Sequence, residues 1–392
     1  MKKPLSLYVH IPFCEKKCDY CDFTSFDDCA SQIDSYVAAL CNEIVAYKER
    51  CSDHIIKTIY FGGGTPSSIH QKYIGKIFDI IRATFAVDAN AEVTIECNPT
   101  SVTATKLKAY KNFGINRISL GLQSCDDVVL KSLGRAGAAS LGLRALNMIK
   151  RSGFENLSVD FICNVPIPKD FSGMGLRRNI ESELNFILTR FPQIKHVSSY
   201  TLIPEPGTPL QKRLDFEELY ELDEDTYIDE EIDLFFTLKE QGFRRYEISN
   251  WARPGYECQH NETYWRGDAE YLGIGLAAHS LLAGERFENT PDMGMYLLNP
   301  NKVIFKHTRT REDIINEVIL LSIRTRYGVN LGTLRKLGVD LLHEKRREVM
   351  DLVERKLIKV TKTSIKATTD GMFILNVVIN MLTFDTKEVI QG

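Results

Sequence analysis

No stretch of this chain reaches the run of about 18 uninterrupted apolar residues that a membrane-spanning helix requires. The nearest approach, Gly273–Gly284, is interrupted by His279 and Ser280. The N-terminal segment MKKPLSLYVHIPFC has only a short apolar run, broken by His10 and Pro12, so it predicts a first strand rather than a signal peptide. We therefore expect a cytoplasmic protein without a membrane span.

An excess of positive charge is also lacking. The net charge is −3, with 44% hydrophobic and 26% charged residues, which excludes a chain that is basic throughout and is ordinary for a globular protein. Low-complexity segments are missing as well, and this excludes a fibrous or wholly disordered chain. The length of 392 residues predicts about two or three domains.

A repeating alternation of strand and helix patterns fills the first 210 residues. Six apolar or alternating segments that end at glycine, proline or a polar turn predict strands. They are Leu5–Pro12, Lys57–Gly64, Glu92–Pro99, Arg117–Ser124, Leu157–Pro166 and His196–Pro204. Because parallel neighbours need crossover helices, this order predicts an α/β fold with a partial (β/α)6 TIM-like barrel. The functional site is then expected at the C-terminal ends of the strands.

The pattern changes after residue 210. Twelve acidic residues and one basic residue lie in Asp215–Glu240, which predicts an amphipathic helix with an acidic outer face. The glycine- and aromatic-rich segment 242–282 predicts irregular structure that covers one end of the barrel. From Lys302 to Lys366, 16 Lys and Arg residues stand against 8 Asp and Glu residues, in helical patterns followed by a hairpin pattern.

These changes predict three parts. Residues 1–210 form the barrel, 211–300 form the acidic helix and the covering segment, and 301–392 form a C-terminal winged-helix-like helical domain.

Ten cysteines are many for a chain expected in a reducing compartment. Seven are scattered and are interpreted as buried thiols. Cys14, Cys18 and Cys21 instead fall in one loop after the first strand. Structural zinc would need a fourth ligand, and a disulfide would need only two cysteines. Thiolates also hold iron–sulfur clusters, and three thiolates on a four-iron cluster leave one iron open to a small molecule.

The spacing C-x-x-x-C-x-x-C, with Tyr20 before the last cysteine, resembles the signature of the radical S-adenosylmethionine (SAM) superfamily. The segments YVHIPFCEKKCDYCDF, YFGGGTPS, ECNP, RISLGLQS, YTLIPEPGTPL, CQHNETYW and YLGIGLAAHS resemble one branch of it. That branch contains oxygen-independent coproporphyrinogen III dehydrogenase and the radical SAM heme chaperone HemW family. The resemblance extends over nearly the whole chain, from about Leu5 to Leu382.

The resemblance implies a radical SAM barrel with a 4Fe-4S cluster on Cys14, Cys18 and Cys21. It also implies a set of SAM contacts, and glycine has a physical reason to be among them, since a missing Cβ lets a ligand approach the backbone. The implied SAM-binding residues are Tyr8, Tyr20, Gly63, Gly64, Thr65, Glu96, Gln123, Arg135 and Asp160. Those that belong to the branch's second SAM position are Tyr20, Gln123, Arg135 and Asp160. Whether that second position is occupied stays open.

Two features distinguish the members of this branch. The dehydrogenase has a further cysteine where this chain has Phe23, and the segment His260–Trp265 matches the HNxxYW pattern of the HemW family. The resemblance therefore implies a heme chaperone that passes heme to acceptor hemoproteins. Oxidative decarboxylation by a coproporphyrinogen III dehydrogenase stays open as an alternative. An RNA-modifying radical SAM protein is a weaker alternative, because the basic C-terminal domain lacks an aromatic-interleaved stripe, and we expect no nucleic acid partner.

Heme needs an axial ligand and an apolar pocket. We predict His260 as the ligand or as a heme contact and Trp265 as a flat wall, with His279 and Cys258 as alternative ligands. The opposite interpretation is that His260 only braces its own segment.

Overall fold

The computed structural model describes residues 2–169, 178–267 and 269–384. The strands in these ranges are β1 Lys3–Ile11, β2 His54–Gly63, β3 Val87–Cys97, β4 Arg117–Gln123, β5 Asn156–Cys163, β6 Ile167–Pro168, β7 Ile194–Thr201, β8 Leu219–Tyr220, β9 Arg244–Arg245, β10 Asn250–Ala252, β11 Tyr271–Ile274, β12 His279–Leu282, β13 Glu285–Asn289, β14 Val303–Thr308, β15 Val329–Asn330, β16 Ile358–Val360 and β17 Ser364–Ala367. The helices are Ala30–Gln32, Ile33–Ala46, Gln71–Thr84, Ala104–Phe113, Asp127–Ser132, Ala139–Ser152, Ile180–Arg190, Pro209–Asp215, Glu224–Glu240, Gln259–Tyr264, Met293–Leu298, Arg311–Ser322, Leu331–Lys336, Leu341–Glu344, Arg346–Glu354, Thr369–Phe373 and Leu375–Leu382.

One large sheet dominates the described residues, with the strand order β14-β13-β12-β11-β1-β2-β3-β4-β5-β7-β10-β9. From β11 to β7 each strand runs parallel to its neighbour. The six predicted strands are β1 to β5 and β7, so the predicted partial TIM-like barrel is confirmed. The structure adds β11 as a seventh parallel strand, beside β1.

The barrel strands alternate between apolar and polar side chains. On β1, Leu5, Leu7 and Val9 join the hydrophobic core under the surrounding helices, whereas Ser6 and Tyr8 point to the other face of the sheet, the barrel interior. A typical TIM barrel fills its interior with layers of branched apolar side chains. The polar interior of this barrel instead leaves groups that can bind a ligand.

Two of the outer helices end at a glycine. Gly114 and Gly153 follow the helices Ala104–Phe113 and Ala139–Ser152 with φ values of 95° and 74°. This left-handed conformation costs glycine little, and it turns the chain back into the next strand. Each helix therefore packs on the sheet between the two strands that it connects.

The segment 242–282, predicted to be irregular, instead contains strands at both edges of the barrel. Strand β10 pairs with β7 in antiparallel fashion, and β11 pairs with β1. The short helix Gln259–Tyr264 between them contacts the barrel interior, where Ser6 Oγ lies 2.8 Å from Thr263 Oγ1. The acidic helix begins only at Glu224. The proposed boundaries at residues 210 and 300 stay predictions.

The C-terminal part has a hydrophobic core of its own, which includes Ile319, Leu334 and Leu352. Its helices are followed by a hairpin of β16 and β17 and then by the helix Leu375–Leu382. The helices followed by a hairpin are the order of elements that the sequence predicts. Over the described ranges, no helix has both the length and the apolar character needed to cross a membrane.

Candidate functional site

The cysteine loop follows β1, at the C-terminal ends of the parallel strands. Cys14, Cys18 and Cys21 are half-buried free thiols. The Cys14 N–H donates to the Phe26 carbonyl at 2.9 Å, and the Cys21 N–H donates to the Cys18 carbonyl at 3.1 Å. The Phe26 N–H in turn donates to Pro12. These bonds fold the loop back onto the end of β1.

Two side chains from other loops contact these thiols. Thr65 Oγ1 lies 3.6 Å from Cys14 Sγ, and Arg135 Nη1 donates to Cys18 Sγ at 3.6 Å. Burial raises the pKa of Cys14, and its hydrogen bond to Thr65 acts against that rise. The thiolate is the form of cysteine that binds iron.

The donor set fits a four-iron cluster better than a single metal ion. Across the described residues, no three His, Cys, Asp or Glu side chains converge on a point that could hold one ion. A four-iron cubane instead places each thiolate on a different iron. Three free thiols spread over one loop suit that requirement.

Gly63 and Gly64 lie against β1, and the structure gives both a packing role. Gly63 has a φ of 111°, and a Cβ there would lie 2.5 Å from His10 Cε1. At Gly64 a Cβ would lie 2.8 Å from the Pro12 carbonyl carbon, and the Gly64 N–H donates to Ile11 at 2.9 Å. The glycines therefore bring the end of β2 against the start of the cysteine loop. Their contact with SAM stays a prediction.

Two carboxylates face the interior below this end of the barrel. Tyr60 donates to Glu96 Oε1 at 2.8 Å, and Ser119 donates to Asp160 Oδ1 at 3.3 Å. Burial raises the pKa of Glu96 to about 7, with the charge of Asp160 adding to the rise, and burial raises the pKa of Asp160 to about 6. SAM carries a sulfonium and an ammonium group, so it would stabilise both ionised carboxylates. The ring of Tyr8 lies beside Tyr60, with centroids 6.3 Å apart.

Tyr20 and Arg135 connect the cysteine loop to β4. Arg135 Nη2 donates to the Gly121 carbonyl at 2.5 Å. The Tyr20 ring packs beside Leu133, and burial raises its pKa while Arg135 lowers it. The structure thus places Tyr20 and Arg135 next to Cys18, while Gln123 ends β4 and Asp160 lies within β5.

Gln123 is the last residue of β4, and Asn164 directly follows the adjacent strand β5. Both are non-glycine residues in left-handed backbone conformation, with φ values of 69° and 58°. Both side chains are buried, and Gln123 Oε1 and both amide atoms of Asn164 lack a hydrogen-bond partner among the described residues. Strained backbone and unpaired buried polar atoms are typical of ligand sites. Asn164 was not predicted as a site residue, because an asparagine after a strand resembles an ordinary turn residue.

His260 is a buried, fully bonded residue of the barrel interior. Its side chain is 1% exposed, Nδ1 lies 2.7 Å from Thr58 Oγ1, and Nε2 lies 2.9 Å from the Tyr264 hydroxyl. Its ring stacks on Tyr60 with centroids 5.0 Å apart, and burial lowers its pKa to about 3. Because both ring nitrogens are occupied, the structure does not support His260 as a heme ligand. It matches the opposite interpretation, a bracing residue.

The other candidates for heme binding lie in different surroundings. Cys258 is buried with its thiol 3.5 Å from Glu92, and burial raises its pKa to about 12. The exposed His279 imidazole lies 3.8 Å from a Glu288 carboxylate oxygen. Trp265 is half-buried and lines a cleft beside the C-terminal part.

Comparisons with known proteins identify the family. Residues 8–170 match the model of the radical SAM superfamily. The chain is 30% identical over 377 residues to the heme chaperone HemW of Bacillus subtilis, covering 95% of this chain and 97% of the relative. It is 37% identical over 287 residues to the heme chaperone HemW of Escherichia coli, covering 70% of each. The chain belongs to the HemW family of the radical SAM superfamily. Membership of this superfamily implies a 4Fe-4S cluster and SAM.

The fold of this HemW-family chain also has a solved counterpart. The structure of coproporphyrinogen III oxidase (HemN) from Escherichia coli superposes with a TM-score of 0.83. That match covers 97% of this chain and 90% of HemN at 22% identity, so it establishes a shared fold and nothing finer.

Proposed function

We propose that this HemW-family protein is a heme chaperone that binds a 4Fe-4S cluster, SAM and heme and passes heme to acceptor hemoproteins. The observation that carries the proposal is the 30% identity to the HemW of Bacillus subtilis over 95% of the chain. Phe23 adds support, because the dehydrogenase of the same branch has a cysteine at this position. The Phe23 ring is 70% exposed beside the cysteine loop and cannot ligate a metal.

The proposed cofactor site lies at the C-terminal ends of the barrel strands. Cys14, Cys18 and Cys21 would hold the cluster, with Arg135 donating to one thiol. The SAM residues would extend from the end of β2 to β5. The raised pKa values of the two interior carboxylates support this assignment, because a cationic ligand would offset the cost of burying their negative charges.

A transfer assay tests the chaperone role. Anaerobically reconstituted protein is loaded with ferric heme and mixed with a heme-free acceptor hemoprotein, and the Soret band of the acceptor is followed. We expect the acceptor to gain heme while the donor loses it. A heme-loaded donor that retains its heme, beside an acceptor that free heme loads readily, would contradict the proposal.

Coproporphyrinogen III dehydrogenase is the second candidate. The observation in its favour is that every SAM position implied by the resemblance is present, among them Glu96, Gln123 and Asp160. A 5′-deoxyadenosyl radical is therefore compatible with the chain. Turnover of coproporphyrinogen III with SAM and a reductant would decide for this candidate.

A further inference from the structure

A cleft of about 330 Å³ lies between the segment that carries the HNxxYW pattern and the C-terminal part. Aromatic residues Tyr246, Trp265 and Tyr327 line it together with the charged Glu262 and Arg266. Small-molecule sites have volumes of roughly 300–1,000 Å³, aromatic walls and a few placed polar groups. None of the cluster or SAM residues lines this cleft, so the proposed cofactor site gives it no role.

Tyr327 is one of the oxygen donors that line this cleft, and it is the half-exposed tyrosine among them. Its side chain is 50% exposed, and its hydroxyl lies between two charged partners. The hydroxyl donates to Glu262 Oε1 at 3.1 Å, and Arg326 Nη2 donates to the phenol oxygen at 2.8 Å. Arg326 is itself held by Glu257 at 2.9 Å. Since a phenol oxygen both donates and accepts, it retains capacity for a further bond once its proton is lost.

A tyrosine oxygen is one of the axial ligands that proteins supply to ferric heme. The hydrogen bond from Arg326 to the phenol oxygen is charge-assisted, and the Glu262 carboxylate already accepts the hydroxyl hydrogen. We propose that this cleft is the heme site of the chaperone and that Tyr327 is the axial ligand of the ferric iron. This inference rests on the proposed function. As the iron–oxygen bond forms, the O–H bond breaks and the proton passes to Glu262, with no change of oxidation state.

Two further residues of the cleft wall suit a porphyrin. Trp265 offers a flat apolar surface for one face of the ring. The exposed Arg266 can pair with a propionate at the mouth. The HNxxYW segment thus contributes its tryptophan to the heme, while its histidine stays bonded inside the barrel.

The test compares ferric heme with metal-free protoporphyrin IX, titrated into wild type and Tyr327→Phe. A ligand to iron predicts that the variant binds ferric heme at least about tenfold more weakly and binds the metal-free ring unchanged. Trp265→Leu should weaken both porphyrins alike, because it removes only apolar contact. Tyr227→Phe, at an exposed tyrosine on the acidic helix, is the matched control and should change neither affinity.

The proposed function and the assignment of Tyr327 are refuted by different results. A wild type that binds no ferric heme refutes the proposed function. If the wild type binds ferric heme more tightly than the metal-free ring and Tyr327→Phe keeps that difference, only the assignment of Tyr327 is refuted. Resonance Raman spectra of the heme-loaded wild type need no variant to fold. They should contain tyrosinate vibrations, and their absence would overturn the assignment.

Discussion

Replacing His260 with alanine should destabilise the fold strongly and leave heme affinity unchanged. The substitution removes the partner of the buried Thr58 hydroxyl and that of the Tyr264 hydroxyl. It also removes the ring that stacks on Tyr60. These contacts tie the helix Gln259–Tyr264 to the barrel interior, so their loss acts on folding and has no direct path to a bound porphyrin in the cleft.

The size of the expected destabilisation follows from these contacts. A buried hydroxyl left without a partner costs about 1–3 kcal/mol, and an aromatic pair contributes about 0.5–1.5 kcal/mol beyond its buried area. We expect His260→Ala to lower the free energy of unfolding by about 3–5 kcal/mol, which urea unfolding followed by circular dichroism measures. His279→Ala, at an exposed imidazole, is the control and should cost less than about 0.5 kcal/mol.

The pH dependence gives a second readout. Burial lowers the pKa of His260 to about 3 from 6.5, so below pH 6.5 the unfolded chain takes up a proton that the native chain refuses. The stability advantage of wild type over His260→Ala should therefore shrink by about 1.4 kcal/mol per pH unit as the pH falls from 6.5. A folded His260→Ala protein with near wild-type stability and a shifted or lost Soret band would refute this reasoning, because that result belongs to an iron ligand.

Three further outcomes are expected from the cysteine loop and the core. Wild type reconstituted anaerobically should hold about four irons per chain, and the Cys14/Cys18/Cys21→Ala triple variant essentially none by iron assay; a full cluster in the variant would contradict the assignment. Because Phe23 stands where the dehydrogenase has cysteine, an anaerobic assay of coproporphyrinogen III with SAM and a reductant should yield no protoporphyrinogen. Sustained turnover of coproporphyrinogen III would count against the chaperone role. Burial raises the pKa of Glu43 to about 8 from 4.5, so the native protein keeps this carboxyl group protonated at pH values where the unfolded chain ionises it. Wild type should lose thermal stability relative to Glu43→Gln as the pH rises from 4.5 to 8, and a constant difference between the two would be evidence against this shift.

The barrel strands could be predicted because their signal is local. A two-residue alternation with a glycine or proline stop fixes each of them within a few residues of its observed ends. Strand β11 escaped prediction because it is short and contains Gly273, which suggests a loop. A Cβ at Gly273 would lie 2.4 Å from the His279 carbonyl oxygen. The glycine is there because β12 folds back closely on β11, and that contact, like the pairing of β11 with β1, has no local sequence signal.

The cysteine loop was predictable for the same reason, since its three thiols lie within eight residues. Of the two hydrogen-bond partners of His260, only one could be predicted from the sequence. Its bond to Tyr264 joins residues four apart on a helix, a spacing that the sequence displays. Its bond to Thr58 joins residues 202 positions apart, which only the fold brings together. Without that second partner, the histidine looked available to iron.

The two faces of one short helix account for the spacing of the HNxxYW segment. His260 and Tyr264, four residues apart, lie on the barrel side, where Tyr264 also packs against Tyr271 with ring centroids 4.8 Å apart. Glu262 and Trp265, three residues apart, line the cleft on the other side. Residues three or four apart share a helix face, so the two members of each pair lie on the same side. Substitutions in the first pair should therefore act on folding, and substitutions in the second pair should act on the porphyrin, although all four lie within six consecutive residues.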